Sequence, residues 1–186
     1  MAVAETVSQQ GLTIWNIDPA HTHVAFAVRH LMISTVKGRF TDIKGTVKSH
    51  DADPARGEVD IEIGVASIDT REPQRDAHLR SADFFDAERF PEITYKSRRI
   101  DGVQDDRFKL VGDLTIHGVT REVTLDVTSE GRARDPWGGE RAGFTATTKI
   151  KRGDFGLTWN QALETGGVLV GDEVKITLDV ELVKQQ

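Results

Sequence analysis

Apolar and polar residues alternate along most of this chain, and that period of two limits its fold more than any other feature. Val174, Ile176, Leu178, Val180 and Leu182 share one parity, while Lys175, Thr177, Asp179 and Glu181 hold the other. The pattern recurs in Val59-Ile61-Ile63-Val65, Phe108-Leu110-Gly112-Leu114-Ile116 and Val123-Leu125-Val127, interleaved largely with charged residues or threonine. Val24-Phe26-Val28 and Ala142-Phe144-Ala146 continue it. Successive side chains of a strand point to opposite faces, so each segment is predicted to be a strand with one buried and one wet face. Antiparallel sheets show that pattern, whereas parallel sheets are usually covered on both faces.

Turn residues separate the strands at Asp51-Ala52-Asp53-Pro54, Asp101-Gly102, His117-Gly118 and Asp135-Pro136-Trp137-Gly138-Gly139. One strand changes phase: Val36, Gly38 and Phe40 lie on one parity, Ile43, Gly45 and Val47 on the other. A β-bulge near Thr41-Asp42 is expected, because one extra residue flips the face without ending the strand. From 70 to about 86 the alternation stops. Thr70 is a candidate N-cap, Pro73 suits a first turn and Ser81 is placed to cap a second short helix, so a helical insertion is predicted there. Eight or nine strands result, several near ten residues long. Alternation alone leaves a barrel and a sandwich both open, since either would bury the apolar faces.

The chain has 186 residues, which suits one domain, expected over 12–184, with a flexible segment at 1–11. A net charge of −6 gives no general pull toward phosphate backbones and argues against nucleic-acid binding. There is no cysteine, which excludes disulfides and thiolate chemistry. No stretch is apolar for the ~18 residues of a membrane-spanning helix. The first residues have neither a basic region nor an apolar run of signal-peptide length, so a cytoplasmic location is expected. No Gly-x-Ser-x-Gly, phosphate-cradling glycine loop or His-Glu-x-x-His is present, and no enzymatic activity is predicted.

Several motifs in fixed order carry a more specific signal. Trp15-x-x-Asp18-x-x-His21-Thr22, Phe26-x-Val28-Arg29-His30-Leu31 and Val36-x-Gly38-x-Phe40 open the chain. Arg75-Asp76-x-His78-Leu79, Asp83-Phe84-Phe85-Asp86 and Phe90-Pro91 follow, then Gly112-x-Leu114-Thr115-Ile116-x-Gly118-Val119-Thr120 and Arg152-x-Asp154-Phe155-Gly156. In these motifs the chain resembles the YceI-like family from about Trp15 to Leu182. The resemblance implies an all-β fold, an eight-stranded antiparallel lipocalin-like barrel, with a polyisoprenoid or related long-chain lipid or quinone in its interior. A homodimer is common among relatives. Thr22 stands where a serine is common, and keeps the hydroxyl.

On that reading the ligand is expected to meet Val24, Phe26, Val28, Phe40, Leu79, Phe84, Phe85, Leu114, Ile116, Phe144, Phe155 and Trp159. His21, Arg75 and His78 are candidate head-group contacts; Arg75, His78 and Leu79 share one side of a helix at i, i+3 and i+4. Arg75 could instead pair with Asp76 to fasten the insertion. The loop from Asn160 to Gly171 is long enough to gate the barrel. His21 and His23 would share a strand face and invite a metal, but without a diagnostic carboxylate spacing no metal or other cofactor is expected. Two alternatives stand beside the carrier: a metal- or His-dependent enzyme acting on a small hydrophobic substrate, and an all-β protein-interaction module with a self-filled core.

Overall fold

The computed structural model describes residues 11–164 and 166–186. Eleven ladder segments form one sheet. They make eight strands, because the first three are each bent into two segments. β1 comprises Leu12–Ile17 and His23–His30, with a 3-10 turn at Pro19–His21 between them. β2 comprises Ser34–Phe40 and Ile43–His50, and β3 comprises Glu58–Gly64 and Ile68–Asp69, parted by a 3-10 turn at Val65–Ser67. β4 (Glu92–Gln104), β5 (Arg107–Ile116), β6 (Val119–Arg134), β7 (Glu140–Lys151) and β8 (Val170–Lys184) run unbroken.

Each strand pairs antiparallel with the next in sequence, and β8 returns to β1. The seam uses both segments of β1: Ile17 faces Leu182, and Val24 faces Leu178. The result is a closed up-and-down barrel, although Ser34–Gly38 and the short Ile68–Asp69 segment are laddered on one side only. Eight strands give an interior just wide enough for side chains or one small ligand.

The three bends lie at one level. Gly64 N–H donates to the Asp42 carbonyl at 2.9 Å, Thr41 N–H to Ser67 Oγ at 3.1 Å, and Ser67 Oγ–H to the Gly64 carbonyl at 2.6 Å. The expected change of phase in β2 is real, since Phe40 and Ile43 are both buried. It is not a single-residue bulge, however: Thr41 and Asp42 leave the ladder together, because both neighbouring strands turn a corner at the same level.

His117-Gly118 is a two-residue hairpin turn with φ of 55° and 71°, as the right-handed twist of flanking strands favours. Asp101-Gly102, expected as a turn, is an irregularity within β4 where the register shifts; the chain reverses at Asp105-Asp106. The insertion contains one helix, α1 (Pro73–Arg80), capped by Glu72 with Pro73 in the first turn. Thr70 is not the cap. Ser81 ends α1 instead of starting a second helix, its hydroxyl donating to the His78 carbonyl at 2.6 Å, and turns follow. The expected flexible segment 1–11 lies, Gly11 excepted, outside the described residues.

Candidate functional site

The inward faces of the strands do not meet in the middle. A cavity of about 740 Å³ occupies the end of the barrel formed by the start of β1, the β4–β5 turn and the β6–β7 turn. A second, of about 160 Å³, lies toward the α1 end. Ile61, Leu125 and Leu178 line both, so the two spaces adjoin.

The smaller space is almost wholly apolar. Phe26 and Phe40 lie with ring centroids 5.6 Å apart, and Phe85 meets Phe40 edge-on at 6.0 Å. Gly38 stands opposite Phe26 across the β1–β2 ladder, and a Cβ there would collide with the ring, so glycine sets how far the ring lies over β2. Leu79 from α1, with Phe84 and Phe85 beyond it, covers this end. Arg152 also reaches the wall, although it is only 7% exposed. Its guanidinium donates to the carbonyls of Gly171, Leu157, Trp159 and Val170 and meets no carboxylate among the described residues. It thereby ties the loop before β8 to the barrel. Burial pulls its pKa below the ordinary arginine value.

The larger space has apolar walls from Trp15, Val47, Phe108, Phe144, Val180 and Leu182 and a polar rim with Lys48, His50, Asp51, Asp105, Asp106, Arg132, Glu140 and Lys184. Phe108 and Phe144 pack edge-on at 6.4 Å. Trp15 is 2% exposed, and its indole N–H donates to Ser49 Oγ at 3.0 Å.

Val24, Phe26, Val28, Phe40, Leu79, Phe84, Phe85, Leu114 and Ile116 therefore line the smaller cavity and Phe144 the larger. Phe155 and Trp159 line neither. Phe155 is 1% exposed within the solid core, held by the 3-10 turn Arg152–Phe155. Trp159 packs against His78 and Phe84 with ring centroids 4.8 and 5.2 Å apart, outside the cavity lining.

The three expected head-group contacts also lie elsewhere. Arg75 donates from Nε to Thr70 Oγ1 and from a terminal nitrogen to the Thr70 carbonyl, both at 2.8 Å. The buried Asp76 carboxylate accepts from the N–H and hydroxyl of the same threonine. Arg75 and Asp76 thus fasten α1 through Thr70 and not by pairing with each other. His78 meets Asp83 at 2.8 Å and Trp159 edge-on, with ring centroids 4.8 Å apart.

His21 stands on the 3-10 turn of β1, not on a strand face shared with His23, and its Nδ1 lies 2.7 Å from Asp18. That hydrogen bond raises the His21 pKa, with Glu181 adding to it, and lowers that of Asp18. Asp18, His21 and Glu181 are close enough together to suit a cation. The position is already taken by a cation of the chain itself: one terminal nitrogen of Arg141 sits 2.7 Å from Asp18 and 2.8 Å from Glu181, while its Nε reaches Asp135 at 3.0 Å. The three carboxylates push the Arg141 pKa up. A guanidinium so held makes this a structural ion-pair network at the bend of β1.

The family model described as the YceI-like domain matches residues 15–182. The chain belongs to the YceI-like family. Protein YceI of Escherichia coli O157:H7 is 39% identical over 168 residues, spanning 89% of this chain and 83% of that protein. The crystal structure of Burkholderia cenocepacia BcnA superposes with a TM-score of 0.78 at 26% identity, covering 89% of this chain and 98% of that one. A polyisoprenoid binding domain from Saccharophagus degradans shares the fold, with a TM-score of 0.65 at 15% identity over 90% of this chain and 97% of that one.

Within this YceI-like barrel, sequence reasoning missed most of the larger cavity. Phe108 stands on the inward parity of an alternating segment, and that signal could have found it; Trp15 lies in Leu12–Ile17, where both parities carry apolar residues and alternation marks no face. Arg152 belongs to the motif Arg152-x-Asp154-Phe155-Gly156, but a charged side chain on an apolar wall breaks the alternation that marks the inner face.

Proposed function

We propose that the barrel binds a long apolar lipid of polyisoprenoid type, with the tail inside the sheet, for storage, sequestration or transport, and that it works as a binding protein and not an enzyme. The observation that carries this is the pair of adjoining cavities with Ile61, Leu125 and Leu178 as common walls, one ending at a polar rim and the other at the cover under α1. Burying a tail there releases on the order of 25 cal/mol per Å² of apolar surface. Left without a ligand, the same walls forgo those contacts. The family and the binding named for the Saccharophagus degradans domain support the choice of ligand class.

The two alternatives lose ground on specific observations. Cavities of this size do not fit a self-filled core. The histidine that motivated an enzyme is bound to Asp18, in a network that Arg141 closes. Organic extraction of the purified protein followed by mass spectrometry is expected to release a long-chain lipid. A clean extract, together with no binding of added prenyl phosphate or isoprenoid quinone, would overturn the proposal.

A further inference from the structure

The larger cavity carries a cation that simple alternation along β6 would have turned outward. Val123, Leu125 and Val127 are buried on the inner face, and continued alternation would place Ser129 and Gly131 inside and Arg132 outside. The ladder with β7 shifts instead: Phe144 faces Ser129 and Gly143 faces Gly131, which leaves Glu130 as the extra residue of a bulge. Gly131 has φ 112°, a backbone angle that side chains rarely adopt. Bulges of this kind re-aim the residues that follow. Arg132 accordingly stands opposite the inward, 4% exposed Ala142 and lines the cavity at its rim, where it stays exposed to solvent.

Its guanidinium carbon lies 5.2 Å from the centroid of the buried Trp15 ring, and among the described residues it makes no hydrogen bond or ion pair, although its charge is felt by the rim carboxylate of Glu140. The other cations of the wall are engaged: Lys184 with Glu140 at 2.9 Å and Lys48 with Glu58 at 3.9 Å. Asp51, Asp105 and Asp106 stand on the two turns of the outer rim. A guanidinium offers a planar fork of N–H donors suited to two oxygens of one anion, and stacking on an aromatic face holds that fork in place.

We infer that Arg132 is the head-group contact of this cavity, and that the lipid it selects ends in an oxyanion, a phosphate or carboxylate, on an apolar tail. This rests on the lipid-binding reading above and narrows it. A neutral quinone leaves the guanidinium without a charged partner.

Farnesyl phosphate and farnesol share a tail and differ in the head, so their affinities for the wild type, Arg132→Gln and Arg132→Lys separate the two readings. The wild type is expected to bind the phosphate roughly tenfold or more tightly than the alcohol, with the preference shrinking as salt is raised. Arg132→Gln should bring the phosphate down to the level of the alcohol without changing the alcohol, and Arg132→Lys should keep part of the preference. Equal affinity of the wild type for both ligands overturns the inference. So does a parallel loss of both in Arg132→Gln, which would make the side chain a cover for Trp15. If neither ligand binds the wild type, the lipid-binding reading itself fails, and the inference with it.

Discussion

Arg152 shows how one residue can hold a segment that carries little core of its own. Its guanidinium reaches four carbonyl oxygens spread over Leu157, Trp159, Val170 and Gly171. Lysine keeps the charge but has neither the planar fork nor the reach in several directions. Arg152→Lys is expected to lower stability in urea unfolding by about 1–3 kcal/mol, since one buried and up to three part-buried carbonyls lose their donor at once. Loss of protection in hydrogen exchange should concentrate in 157–171. At this scale the sequence was readable where side chains obey alternation, as with Phe26, Phe40 and Phe144. It was unreadable where contacts are made by long polar side chains to distant backbone: no spacing announces that Arg75 and Asp76 both close on Thr70. Arg132 was hidden for another reason. A one-residue bulge inverts parity, and Gly131 was its only mark in the sequence.

α1 is an element held by polar contacts. Among its residues only Asp76 is buried, and an eight-residue helix is too short to persist alone in water. Thr70, Arg75 and Asp76 therefore decide whether Leu79, Phe84 and Phe85 stay over the smaller cavity. Thr70→Val removes the hydroxyl and leaves the Asp76 carboxylate with one donor fewer. It is expected to cost about 1–3 kcal/mol and to raise amide exchange over Pro73–Arg80 well before the β-strands respond. Uniform loss of protection across the barrel would contradict this. The break in alternation located the element, but composition overstated its length. Asp83, Asp86 and Ser81 make turns readily, and their backbone partners, such as Asp86 N–H to the Ser81 carbonyl at 2.9 Å, close turns where a second helix was expected.

The charged outer surface of the whole barrel sets its response to pH. Asp18 is held below the ordinary carboxylate value by His21 and Arg141, Asp135 by the Gly139 N–H and Arg141, and Glu140 by Lys184. Depressed carboxylates contribute stability above their unfolded values of 3.8 to 4.5, and it is lost as pH falls through the lower folded values. His21 has the opposite sign. Its raised pKa contributes below the unfolded value of 6.5 and is lost as pH rises through the folded one. The thermal midpoint of His21→Gln is therefore expected to fall below that of the wild type near pH 5.5 and to match it at pH 8.5. A gap that stayed constant with pH would show that His21 acts by packing alone. Eight or nine strands and their apolar faces followed from alternation, but closure did not, because the pairing of β1 with β8 leaves no trace in either segment read alone.

That pairing has a consequence for how the molecule comes to exist. Every other ladder zips between sequence neighbours, some across as few as two residues. The seam instead joins Trp15 to Lys184, and its loop contains nearly the whole chain. Loop-closure entropy grows with that separation, and non-local pairing slows folding. The seam therefore carries the largest loop-closure cost of any line of pairing in the barrel. Closing that line is the step that turns a sheet into a container.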